Sequence, residues 1–315
     1  MSHPSRRDFL GQSAVAVGAI AAASLPAPAG EEKRKLTNGA DLVPLGKTGI
    51  KTSLLGMGTG SVGVGHTSHQ VQLGEAAFVK LVGHAWDAGI RYFDVADQYG
   101  SHLYLRAAIK QLKLPREKLF LQTKTHASTV EMARADLQRF REELGVDAID
   151  SLLLHCMTKG SWPTDLRPVM DVFHQAKAKG TVRAVGVTCH GIEPLRAAAK
   201  CDWVDIDQAR INHVGGKDGV MDGTPDEVVA CLKDMHDQGK GVLGMKILAE
   251  GKLRTPDEQL KSLRFVLGLG CVDAFVIGFE KPEQIDQIMK LIEAALKGLR
   301  GASQPPGLQP GGLRK

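Results

Sequence analysis

From about residue 41 onward the chain alternates between two kinds of segment. Short apolar runs rich in β-branched residues fall at 52–56, 90–95, 119–123, 149–154, 182–187, 204–206, 241–245 and 274–277. Between them lie longer stretches with helical periodicity. In 131–144, Ala133, Leu137, Phe140 and Leu144 recur at three- and four-residue steps, and in 283–296 Ile285, Ile288, Met289, Ile292 and Leu296 do the same. Eight strand signals separated by helix signals predict parallel βαβ repeats. Eight such units close a barrel, so the fold expected is α/β, a (β/α)8 TIM barrel. A further segment, 42–51, reads as a short N-terminal hairpin turning at 46–49 before the first barrel strand. The barrel is expected to occupy 41–297 as one domain. A charged linker precedes it at 30–40, and a Gly/Pro-rich tail predicted to be disordered follows at 298–315.

The first residues are a different kind of sequence. Arg6-Arg7-Asp8-Phe9-Leu10 leads into an uncharged run rich in Ala, Val and Gly, and Ala27-Pro28-Ala29 supplies the small residues of a cleavage site. That order predicts a signal peptide over 1–29. The run is too short and too weakly apolar to span a bilayer easily. Its paired arginines resemble the twin-arginine export signal, which implies the export machinery as a partner and a periplasmic or cell-envelope destination.

Composition adds three limits. Hydrophobic residues make up 43% of 315, enough for one large core, and the formal charge of +5 is spread without a basic stripe, so nucleic-acid binding has no support. The 5 cysteines form no C-x-x-C pair. Folding in a reducing compartment before export leaves them as thiols, with a later disulfide still open. Finally, Gly58-Thr59-Gly60-Ser61-Val62-Gly63 matches G-x-G-x-x-G. The dinucleotide reading of that fingerprint needs a helix to start inside it, whereas the next helical signal begins near Glu75; the loop is read instead as the mouth of the first barrel strand.

Barrel enzymes assemble their sites at the C-terminal ends of the strands. There the chain places Asp94, Lys124 and His155, each ending a different apolar run, with Tyr99 five residues beyond Asp94. Hydride transfer to a carbonyl leaves an alkoxide that needs a proton. A tyrosine can donate it if a cation lowers its pKa from about 10; Lys124 would be that cation, held by Asp94, while His155 orients the carbonyl.

Together these residues resemble the aldo-keto reductase family. The stretch 89–100 (GIRYFDVADQYG) is similar to the family's segment around its catalytic Asp and Tyr, and 144–150 leads to His155 as its segment before the catalytic His does. The resemblance implies Asp94, Tyr99, Lys124 and His155 as a catalytic tetrad acting on a small-molecule carbonyl. It also implies a nicotinamide cofactor touching Gly58, Thr59, Asp94, Thr188 and Gln208, with Met245 stacking and Lys246 at the pyrophosphate. Gly278, Lys281 and Gln284 would lie at the adenosine end. Cys189 stands where the family has an amide side chain, and Glu280 opposes a 2′-phosphate; NADP(H) is nonetheless favoured, with NAD(H) the alternative.

Two other readings stay open. His155-Cys156 and Cys189-His190 end adjacent strands and offer metal ligands, but consecutive side chains point oppositely, so such a site needs a distortion and no metal is expected. The barrel could also serve as an exported cofactor-binding module without turnover. The loops 157–162 and 214–226 would set the substrate, with Trp162 either lining its wall or packed on the barrel.

Overall fold

The computed structural model describes residues 36–302. The predicted signal peptide, linker residues 30–35 and the tail from 303 onward lie outside the described residues. An antiparallel hairpin comes first, β1 (Leu42–Pro44) against β2 (Lys51–Ser53). Eight parallel strands then close a barrel in chain order: β3 (Leu55–Gly58), β4 (Tyr92–Asp94), β5 (Phe120–Thr125), β6 (Ile149–Met157), β7 (Val182–Cys189), β8 (Ile206–Arg210), β9 (Gly241–Met245) and β10 (Ala274–Gly278). Closure is made by β10 on β3, with Phe275 opposite Leu55 and Gly278 opposite Gly58. Helices cover the outside: α1 (His69–Gln72), α2 (Glu75–Asp87), α3 (His102–Gln111), α4 (Val130–Leu144), α5 (Trp162–Asp165), α6 (Arg167–Ala178), α7 (Ile192–Lys200), α8 (Pro225–Asp237), α9 (Pro256–Gly268) and α10 (Pro282–Ala302). The fold is the (β/α)8 barrel with an N-terminal hairpin. Among the described residues no helix is long and apolar enough to cross a membrane.

Local chemistry explains the helix limits. α8 and α9 each open with a capping box, Thr224 with Glu227 and Thr255 with Glu258, followed by proline in the first turn. α4 buries Ala133, Phe140 and Leu144 and stops at Gly145, whose φ of 68° is the left-handed cap.

Three boundaries differ from the sequence reading. The apolar run 52–56 straddles two elements, because Thr52 and Ser53 belong to β2 and the chain bends at Leu54, where its N–H bonds Asp41. The run 204–206 marks only the start of β8, whose remaining residues include Asp207, Gln208 and Arg210 and so lack an apolar signature. α10 continues through Gly298 to Ala302, so the folded region passes the boundary drawn at 297.

The hairpin turn seals the N-terminal end of the barrel. The Lys47 N–H bonds the Gly239 carbonyl at 2.7 Å, just before β9. Asp273, just before β10, accepts from the N–H groups of Val242 at 2.9 Å and Gly46 at 3.2 Å. The opposite, C-terminal end is left for chemistry.

Burial pushes the Asp273 carboxyl from 3.8 up to about 6. A raised carboxylic pKa means the folded state keeps a proton that the unfolded chain has lost, so the contribution is favourable below about pH 4 and is lost as pH rises through about 6. Asp273→Asn should therefore gain stability over wild type as pH rises from 4 to 7, by up to about 3 kcal/mol. Urea unfolding across that range checks it; a constant difference would refute the assignment.

Candidate active site

The site is built on a buried charge. Lys124, on β5, is fully buried, and its Nζ lies 2.5 Å from Asp94 Oδ1 on β4 and 3.1 Å from the Val95 carbonyl. An unpaired ammonium there would be prohibitively costly; the carboxylate and carbonyl replace its hydration. Burial still draws the Lys124 pKa down, against the pull of Asp94.

Beneath this pair runs a polar network inside the barrel. Gln122 Nε2 donates to Asp94 Oδ1 and to the Tyr92 hydroxyl, both at 2.8 Å, while Gln122 Oε1 accepts from Ser151 at 3.0 Å. Gln208 Nε2 donates to the same Tyr92 hydroxyl at 3.2 Å. None of Tyr92, Gln122 and Ser151 was singled out as a site residue from the sequence. The period of two was the available signal, since Tyr92 and Gln122 each precede a charged residue of the pair by two positions on the same strand face.

After β4 the chain makes a single 3-10 turn, Asp97–Tyr99, ended by Gly100 at φ 66°. A side chain on Gly100 would strike the His66 carbonyl at 2.0 Å, so glycine is required twice over. Arg139 of α4 clamps the turn through Asp97 at 2.6 Å. The turn sends Tyr99 over Lys124, whose Nζ is 4.9 Å from the ring centroid, and brings the Tyr99 hydroxyl to 3.4 Å from His155 Nε2. Asp94, Tyr99, Lys124 and His155 thus converge at one mouth.

The electrostatics depart from expectation at one point. Burial, with Asp94 and Cys156 adding to it, pushes the Tyr99 phenol well above 10 rather than below it. The Lys124 charge is already matched by Asp94, so little remains to stabilise a phenolate. Tyr99 is held as the neutral acid, which yields its proton only to a strong base such as a nascent alkoxide. Burial together with the cations Lys124 and Lys246 lowers His155 to about 2, so the imidazole is neutral. Its Nδ1 has no partner among the described residues.

The G-x-G-x-x-G stretch has a steric explanation. A Cβ on Gly60 or on Gly63 would lie 2.4 Å from the Tyr99 ring, whereas one on Gly58 would meet nothing closer than 3.6 Å. No helix starts inside the motif. Its second and third glycines clear space for the tyrosine.

A model of the Aldo/keto reductase family matches residues 54–266. The chain belongs to this family. The NADH-specific methylglyoxal reductase of Escherichia coli is 27% identical over 195 residues, covering 53% of this chain and 58% of that protein. The L-galactose dehydrogenase of Arabidopsis thaliana is 28% identical over 157 residues, 47% of this chain and 48% of that one. The chain thus spans about half the length of these relatives. A solved aldo-keto reductase from Bacillus halodurans, in holo form, shares 17% identity with a TM-score of 0.65 over 82% of this chain and 96% of that one. At that identity the likeness concerns the fold.

In this member of the family the cofactor candidates fall into two groups. Around the tetrad, Gly58 lies between Asp94 and Gly278 in the sheet, and Thr59 donates to the Asp94 carbonyl through both N–H at 3.0 Å and hydroxyl at 2.9 Å. Thr59 is therefore a brace for Asp94. Thr188 accepts the Cys156 N–H at 2.8 Å, and Met245 is buried at the end of β9. Lys246 has left-handed backbone and an ion pair with Glu250. Gln208 is fully buried, and its Oε1 lacks a partner among the described residues. At the other group, Gly278 and Gln284 line a cleft of about 230 Å³ together with Arg254. Gln284 is engaged by the N–H groups of Glu280 at 2.7 Å and Lys281 at 3.1 Å, which closes the start of α10. The Glu280 carboxylate turns to His69 at 2.8 Å, and Lys281 is exposed. Arg254 escaped the sequence reading because nothing local ties it to β10. Trp162 is buried, its Nε1 bonded to the Pro194 carbonyl at 3.2 Å, so it packs on the barrel.

If Gly60 is kept for clearance, Gly60→Ala should cost about 1–3 kcal/mol, as overpacking does. The same change in a Tyr99→Ala background should cost almost nothing. A double-mutant cycle by urea unfolding measures this, and additive costs would refute the steric account.

Proposed function

We propose that this chain is an NAD(P)H-dependent aldo-keto reductase that interconverts a small carbonyl compound and its alcohol, with Tyr99 as proton donor. The observation that carries the reading is the 3.4 Å approach of the Tyr99 hydroxyl to His155 Nε2 above the buried Lys124–Asp94 pair. A carbonyl oxygen placed between phenol and imidazole has an acid on one side and a hydrogen-bonding ring on the other.

The residues fit a nicotinamide group. The unpartnered Oε1 of Gln208 is a buried acceptor of the kind that a carboxamide N–H satisfies. Gln208 and Thr188 would hold that end, Met245 and Lys246 would flank it, and Gly278, Lys281 and Gln284 would take the adenosine end with Gly58 and Thr59 between. When bound, the cofactor supplies or accepts the hydride. Tyr99 donates its proton to the carbonyl oxygen as negative charge builds there. Lys124 cannot drift, being held at Nζ by Asp94 and Val95, so the charge beneath the phenol stays fixed through turnover. NADP(H) is the proposed preference over NAD(H): Glu280 is occupied by His69, leaving Arg254 on the cleft and the exposed Lys281 at the start of α10 as cations.

Purified protein should bind NADPH, and Tyr99→Phe should bind it equally while losing aldehyde reduction by about 10²–10⁴-fold. Binding without turnover in wild type would favour a cofactor-binding module, and no binding of NADPH or NADH would overturn the reading. We also propose that residues 1–29 direct export, a reading supported by Arg6 and Arg7 ahead of the uncharged run. Fractionation of the full chain should find it outside the cytoplasm, and Arg6→Lys with Arg7→Lys should retain it inside; equal distribution of the two would refute export through this signal.

A further inference from the structure

Beside the tetrad, the barrel mouth gathers side chains to which the reductase reading gives no task. β6 loses register against β7 between Leu154 and Met157, and Cys156 within that bulge has a φ of 60°. In a regular strand His155 and Cys156 would face opposite sides. The bulge turns them together, supplying the distortion that a metal site was expected to need.

His126, on the turn after β5, completes the group. One donor atom each from His126, His155 and Cys156 lies within 4.8 Å of the others, and the His126 and His155 ring centroids are 4.6 Å apart at a tilt of 38°. A fourth donor follows β7, where His190 Nε2 is 3.2 Å from Cys156 Sγ. Cys189, the other sulfur considered from the sequence, is fully buried and plays no part. The ligands of tetrahedral zinc sit roughly 3.3–3.8 Å apart, from bonds of about 2.0–2.3 Å. His190 is placed by its contact with Cys156 alone, and both His126 and His190 are exposed, so their side chains have room to turn toward that spacing.

Ion pairing offsets part of the cationic field that keeps His155 neutral, and neutral imidazoles are the form that binds a metal. The basic groups at this mouth each carry an acidic partner: Lys124 with Asp94, Arg210 with Asp222, and Lys246 with Glu250. The donor set, three imidazoles and one thiol, is borderline-soft and suits Zn²⁺ rather than Mg²⁺ or Ca²⁺.

We propose that His126, His155, Cys156 and His190 form a binding site for a divalent cation of the zinc class at the rim of the active site. Binding makes the sulfur–metal bond as the Cys156 S–H bond breaks, the proton passing to buffer. No electrons are exchanged. The proposed ligand atom is His155 Nε2, the nitrogen that faces Tyr99 and orients the carbonyl under the proposed function, so cation and carbonyl substrate exclude one another and the metal is an inhibitor competitive with the carbonyl. The binding stands without the reductase reading; the inhibition rests on it.

Co²⁺ serves as the spectroscopic probe. The purified full chain, stripped with a chelator, should take up one equivalent of Co²⁺ with thiolate-to-cobalt charge-transfer absorption and tetrahedral d–d bands, both displaced by Zn²⁺. Cys156→Ser should abolish the charge-transfer band, and His190→Ala should weaken Co²⁺ binding tenfold or more, with circular dichroism unchanged in both. Absence of the band in wild type, or Cys156→Ser binding as wild type does, would overturn the site. In the activity arm, Zn²⁺ should raise the apparent KM for an aldehyde, and Cys156→Ser should resist it while keeping its metal-free turnover. Equal Zn²⁺ inhibition of wild type and Cys156→Ser would overturn the inhibitory role. A wild type that binds Co²⁺ but reduces no aldehyde would overturn the reductase reading and leave the metal site standing.

Discussion

A lysine ammonium with no exposed surface governs how this barrel mouth is organised. Lys124 can remain charged only because Asp94 and the Val95 carbonyl meet it directly. Asp94 in turn needs its own supports, and receives Gln122 from below and the Thr59 brace on its carbonyl. Strands β3, β4 and β5 are thereby locked at their C-terminal ends by polar contacts, where apolar packing would otherwise give out to solvent. The precision of the tetrad derives from this buried pair: a fixed cation under a tyrosine whose turn is clamped by Arg139 and ended by Gly100.

The two ends of the barrel solve opposite problems. At the N-terminal end the hairpin turn fills the opening with a backbone hydrogen bond to Gly239 and one to the Asp273 carboxylate. At the C-terminal end the first loop gives up side-chain volume, because Gly60 and Gly63 must admit the Tyr99 ring. Stability is built at one end and room for chemistry at the other, as barrel enzymes arrange them. The β6 bulge belongs to the second end too. By rotating Cys156 toward His155 it makes a strand terminus carry two adjacent polar groups on one side, which a regular strand cannot do.

Much of this was written in the chain. Apolar runs of strand length alternating with helical periodicity determined the barrel, because burial on both faces of a parallel strand demands those runs and an outer helix demands its stripe. The tetrad was legible for a related reason: Asp94, Lys124 and His155 are charged or polar types standing where an apolar strand ends, and Tyr99 follows in a recognisable motif. What the chain did not display was whatever depends on contact between distant segments. Arg254 reaches the cleft at Gly278 only through the path of the β9–α9 connection. The glycines at 60 and 63 read as part of the mouth of the first barrel strand, but nothing local showed that their nearest neighbour is Tyr99. The Tyr99 pKa was expected to fall because Lys124, ending another strand, was taken as a neighbouring cation; it rises because burial and Asp94 act on it together, and burial is a property of the packed barrel. Local sequence determines periodicity and chemical type, whereas register shifts, clearances and desolvation arise only once strands far apart in the chain lie side by side.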